Sequence, residues 1–149
     1  MPPLTRWFIR IAMLYLLAAL LVGTLLALRS PLGLPGFFLR LGPVYFHLFL
    51  VGWVTQLIFG TVHWLFPGAR SARAQTATLG WVTLALLNSG LLLRVVAEPL
   101  SAGQAGGFWG WLLVLSALLQ WLAALAFAAF VWPRTRERKR KQRRAQGGG

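Results

Sequence analysis

Cysteine and aspartate are both absent from the chain, and its only acidic residues are Glu98 and Glu137. Without cysteine this chain can form no disulfide, no thiolate metal site and no iron–sulfur cluster. With so few carboxylates the common hydrolytic arrangements also fail, because the serines have no base with an orienting acid beside it. No glycine-rich phosphate loop follows a strand. Charge of any sign is scarce, at 11% of residues, where a soluble domain carries about 25%. An independent enzyme is not expected.

Apolar residues are abundant: 58% of the 149 residues, with a mean hydropathy of +0.67. A domain of this size leaves much of its surface outside any core, so the surrounding solvent is expected to be lipid. Four apolar runs, at about 11–28, 44–66, 76–96 and 108–132, approach or exceed the roughly 20 helical residues that cross a 30 Å hydrocarbon layer. Breakers bound them: Ser30-Pro31, Gly42-Pro43, Pro67-Gly68, Glu98-Pro99, Gly106-Gly107 and Pro133. Trp7, Trp64, Trp109, Trp111 and Trp132 lie near run ends, the depth that indole rings favour. The first run is too long for a typical signal-peptide core, and RSPLG after it is a poor cleavage site, so it reads as a retained helix.

The fold expected is an all-α, four-helix transmembrane bundle over residues 1–133, followed by a basic tail, 134–149, without fixed structure. Orientation follows from Lys and Arg. With four spans, both termini share a side with the 68–75 loop. That side collects Arg6, Arg10, Arg70, Arg73 and eight tail residues, against Arg29, Arg40 and Arg94 opposite. The excess places both termini in the cytoplasm. Without the tail the count is four against three, so the tail decides it. RTRERKRKQRR contains no aromatic residue, hence no stacking platform for bases. Anchoring on anionic lipid is the plain reading, with docking of a partner and nucleic-acid binding as alternatives. In the fourth run, Ala117, Ala123, Ala124 and Ala128 are expected to form the packing face.

Both histidines of the chain, His47 and His63, fall in the second run. Sixteen residues of α-helix separate them by about 24 Å and about 160° of rotation, so they are expected neither to share a face nor to ligate one metal. His63 shares a stripe with Gly52, Gln56 and Gly60, where small residues admit a neighbouring helix and Gln56 can hydrogen-bond across. It therefore reads as a packing residue or, with Gln56 and Asn88, a second site. His47 lies toward the other end, at the depth of Tyr45, Arg40, Arg94 and Glu98. Arg94 and Glu98 form an i,i+4 pair if the third helix extends that far. An imidazole with arginines near it suits a haem, with iron on nitrogen and propionates on guanidinium. The other reading is an interfacial histidine bonded to a loop. His47, Gln56, Asn88, Gln120 and His63 also need hydrogen-bond partners in a dry medium, which suggests association with a second copy or a larger complex.

The pattern H-x4-G-W at His47, Gly52 and Trp53, with Thr55-Gln56, Gly60 and Pro67 after it, resembles the second helix of haem-copper oxidase subunit I and of the related nitric oxide reductase large subunit. W-x6-N-x-G-x3-R at Trp81, Asn88, Gly90 and Arg94 is similar to the third helix of short subunit I-like relatives. The resemblance covers residues 42–98 and implies that His47 is an axial ligand of a haem b iron, with Arg94 and Arg40 beside the cofactor. It also implies a respiratory setting in the inner (plasma) membrane. The chain departs from the full subunits in having far fewer spans and no histidines for a binuclear centre, so it cannot reduce oxygen or nitric oxide alone. A haem-linked electron-transfer unit and a non-haem accessory or assembly subunit both remain open. A small transporter fits four spans less well, since Glu98 beside Pro99 is the only candidate for an embedded carboxylate.

Overall fold

The computed structural model describes residues 2–33, 35–66, 73–101 and 107–146, with 73–76 and 134–146 described by backbone alone. The expected break at Pro67-Gly68, Arg70 in the basic loop, Gly106 and residues 147–149 lie outside the described residues. Among the described residues every regular element is helical. Helix α1 (Pro3–Leu28) opens on a proline at its first turn, where the missing N–H costs nothing. A 3-10 segment (Gly36–Leu41) leads into α2 (Gly42–Phe46), a π-helical segment (His47–Thr55) and α3 (Gln56–Leu65). Helices α4 (Arg73–Ser101) and α5 (Phe108–Gln146) complete the chain.

Four stretches are long and apolar enough to cross a bilayer: Pro3–Leu28, Gly36–Leu65, Ala77–Ser101 and Phe108–Pro133. The chain is a multi-pass membrane protein by this measure. Large apolar side chains face outward along all four, among them Leu17, Leu21, Ile58, Leu92 and Trp121, as a lipid solvent allows. Burying them against one another would gain little there, because lipid tails are as apolar as leucine. The bundle is instead fastened where small residues let helices close up.

Gly52 lies against the Tyr15 side chain and Leu91, Gly60 against Phe8, and Gly80 against Leu4 and His63. These contacts bring α1 and α4 onto the second span. Gly90 meets the Ser116 carbonyl, and Ser116 Oγ donates to Gly90 O at 2.7 Å while Gln120 Nε2 donates to Ser116 Oγ at 3.1 Å. Polar bonds across a helix pair are one of the forces that work in lipid. Two apolar clusters fill much of the core: Leu4, Phe8, Phe59, Leu84, Leu87 and Ala123 form one, and Ala19, Val44 and Leu48 another.

Three expectations change. First, α5 packs through Ser116, Ala123 and Phe130, all buried, while Ala117, Ala124 and Ala128 are exposed. The buried residues recur every seven positions, the seam of two helices packed side by side; of the four expected alanines only Ala123 lies on it. Second, α4 runs through Glu98-Pro99 to Ser101. Pro99 removes one hydrogen bond, and Ser101 Oγ donates to the Glu98 carbonyl at 3.0 Å in the same last turn. Third, where a tail without fixed structure was expected from residue 134, the backbone stays helical to Gln146. Arg, Lys, Glu, Gln and Ala, which dominate 134–146, are good helix formers.

Gly90→Val places a branched side chain against a main-chain oxygen that cannot move aside. It should lower the stability of the detergent-solubilised protein by about 1–3 kcal/mol, read as a fall in melting temperature by near-ultraviolet circular dichroism. Ala117→Val, on the exposed face, should leave it unchanged.

Candidate functional site

The π segment begins at His47 and ends at Thr55. Its turns close i→i+5 rather than i→i+4, and Thr55 Oγ1 donates to the Leu50 carbonyl five residues back at 2.8 Å. Each wider turn advances the side chains by less than the usual 100° per residue. The two histidines consequently do not end on opposite faces, contrary to the α-helical expectation. His47 Nδ1 lies 3.6 Å from Glu98 Oε2, and an added Cβ on Gly80 would stand 2.9 Å from His63 Nε2. Gly80 and Glu98 are 18 residues apart on α4, about five whole turns. Both imidazoles therefore meet one face of α4.

At the end of the bundle where α2 begins and α4 stops, three side chains come together. His47 Nδ1 donates to the Pro43 carbonyl at 2.8 Å. A carbonyl can only accept, so this nitrogen carries the proton, and in the neutral ring the lone pair sits on Nε2. Glu98 Oε2, at 3.6 Å, is at ion-pair distance from the same nitrogen but beyond hydrogen-bond range. Arg94 Nε lies 3.7 Å from Glu98 Oε1, one helical turn away on α4. The side chains of His47 and Arg94 are each 25% exposed and that of Glu98 15%. Arg40, in the last turn of the 3-10 segment, is exposed. Tyr45 packs over Gly23 and stacks on Phe49.

His63 lies deeper in the fold. Its Nδ1 donates to the Phe59 carbonyl at 2.8 Å, and its ring stacks on Phe130 with centroids 4.0 Å apart and on Phe8 at 5.5 Å. Phe127 packs on Phe59 at 3.8 Å and on His63 at 5.9 Å. Aromatic rings from α1, α3 and α5 thus surround this imidazole. Asn88 Nδ2 donates to the Leu84 carbonyl at 2.7 Å, and Gln56 is fully buried.

The structure thus joins His47 to Arg94 through Glu98 and gives His63 to the aromatic core. Glu98 was not among the expected site residues; its signals were the i,i+4 spacing to Arg94 and a shared depth with His47, and the π register turns that depth into a contact. Of the polar groups that argued for association, His47, His63, Asn88 and Gln120 each make a hydrogen bond within the chain, and Gln56 is sealed inside it. Among the described residues no group of three or more His, Cys, Asp or Glu converges as a metal site. No family model matches the chain, and neither does any curated protein or solved structure compared with it.

Removing the carboxylate leaves the Arg94 guanidinium without its counter-charge and the His47 ring without its acidic neighbour. Glu98→Ala should destabilise the protein by about 1–3 kcal/mol, with Glu98→Gln losing less. A double-mutant cycle with Arg94→Ala should give a coupling of about 0.5–1 kcal/mol by thermal melting; a coupling of zero would dissolve the pair.

Proposed function

We propose that the chain is a haem b-linked or accessory component of a respiratory complex that reduces oxygen or nitric oxide, resembling one part of haem-copper oxidase subunit I and not an enzyme on its own. The observation that carries this reading is the state of His47. A backbone carbonyl holds its Nδ1 proton and a carboxylate lies beyond it, the arrangement that orients metal-ligating histidines and directs Nε2 outward. The ring is partly exposed beside the outward-facing Phe46 and Leu50, which offers an apolar surface for a macrocycle. His47 would hold the iron, with Arg94 and Arg40 nearest to carboxylates of the group; bound there, a haem would supply one-electron transfer. Any further histidine ligand would come from another chain or a symmetry mate, because His63 is stacked among Phe8, Phe127 and Phe130.

In the same reading the protein lies in the inner (plasma) membrane with both termini in the cytoplasm. The support is the excess of basic residues on the terminal side. A non-haem assembly subunit is the second reading. It is favoured by the way Glu98 already balances Arg94 and His47, a cluster that needs no ligand to be neutralised.

Protein purified from gently solubilised membranes, with its partners retained, should show a Soret band that His47→Ala abolishes and His63→Phe preserves. A colourless, stable preparation would assign the chain to the second reading. Reporter fusions at residue 149 should report the cytoplasm; an external signal would reverse the orientation and with it the predicted depth of His47.

A further inference from the structure

Gln56 is 0% exposed, and neither its Nε2 nor its Oε1 has a hydrogen-bond partner. An amide sealed in an apolar medium with both ends unpaired is heavily destabilising, so something must complete it. Lipid cannot do so, because no part of the side chain reaches the surface. A second copy of the chain is excluded for the same reason.

The depth of Gln56 identifies what lies across from it. Gly52 faces Leu91 and Gly80 faces His63, so the second span and α4 run antiparallel. Four residues on from Gly52, Gln56 is level with the turn of Leu87 and Asn88. Asn88 uses its Nδ2 on the Leu84 carbonyl, while its Oδ1 is buried with no partner. One layer near the middle of the bundle therefore presents an open amide donor and two open amide acceptors. Leu87, Leu91 and Phe59, all within about one turn of it on the same two elements, are buried. The group that matches this set must be small, must both donate and accept, and must tolerate an apolar enclosure. Buried water typically makes about three hydrogen bonds to such groups.

We propose that the layer between the second span and α4 is an internal hydration site, in which Gln56 and the Asn88 carbonyl oxygen hold bound water about midway between the two histidines. The site does not depend on haem at His47. It supplies the interhelical hydrogen bonds that Gln56 and Asn88 do not make directly, and it makes the middle of this interface polar and exchangeable.

The test uses full-length protein in nanodiscs of deuterated lipid, with side-chain amides labelled with nitrogen-15. The Gln56 amide protons should show a cross-relaxation peak to water, assigned by its disappearance in Gln56→Leu, or in Gln56→Met if the leucine variant does not fold. The peak should weaken in Asn88→Leu while the tryptophan emission of the folded protein is retained. A folded wild-type protein with no water peak at this amide overturns the proposal, as does a peak that Asn88→Leu leaves unchanged. A Soret band, present or absent, bears on neither outcome.

Discussion

The wider turns of the π segment decide which side chains of the second span meet α4. Had His47–Thr55 closed as an α-helix, His47 and His63 would project to opposite sides and Glu98 would face no imidazole. Instead the segment lags in rotation, and one continuous face of α4 serves both rings. Such a segment forgoes the better hydrogen-bond geometry of an α-helix, and π turns are commonly found at functional sites. Here its first residue is the histidine whose ring is held by the Pro43 carbonyl.

The two ends of the interface are built differently. At one end charge and hydrogen bonding dominate, through His47, Glu98 and Arg94. At the other, the space between α3 and the α4–α5 pair is filled by Phe59, Phe127 and Phe130 around His63. Large rings hold helices apart on the α5 side of His63, while on its α4 side Gly80 lets the imidazole close in. The bundle is therefore close-packed where Gly52 meets Tyr15 and Leu91 and where Gly80 meets His63, and propped by aromatic bulk between His63 and α5. In lipid, this pattern of near and far contacts does the work that apolar burial does in water.

Much of this was legible in the sequence. Length and apolarity of the four runs set the number of helices, since few other structures can satisfy a backbone in hydrocarbon. The stripe of Gly52, Gln56, Gly60 and His63 was readable from four-residue spacing, because that part of the span is mostly α-helical. The contact between His47 and Glu98 was not readable, since it depends on a helix type that no residue pattern in HLFLVGWVT announces. The packing face of α5 was misread for a related reason: alanines mark where a helix could pack, while Gly90 and Ser116 on the seam determine where it does. The helical continuation past Pro133 could have been read from propensity alone, had the run of charge not suggested an unstructured tail.

That continuation changes what the basic segment can reach. From Pro133 to Gln146 the helix extends about 20 Å along its axis, more than twice the distance of about 8 Å over which salt screens a charge at physiological strength. On a rod of that length standing along a bilayer normal, positions 134 and 136 would lie near the phospholipid headgroups, whereas positions 143 and 144 would lie beyond the screened reach of their charge. One end of the segment would then act as a membrane stop and the other as a cationic tip facing the aqueous compartment, two separate duties from a single stretch of arginine and lysine.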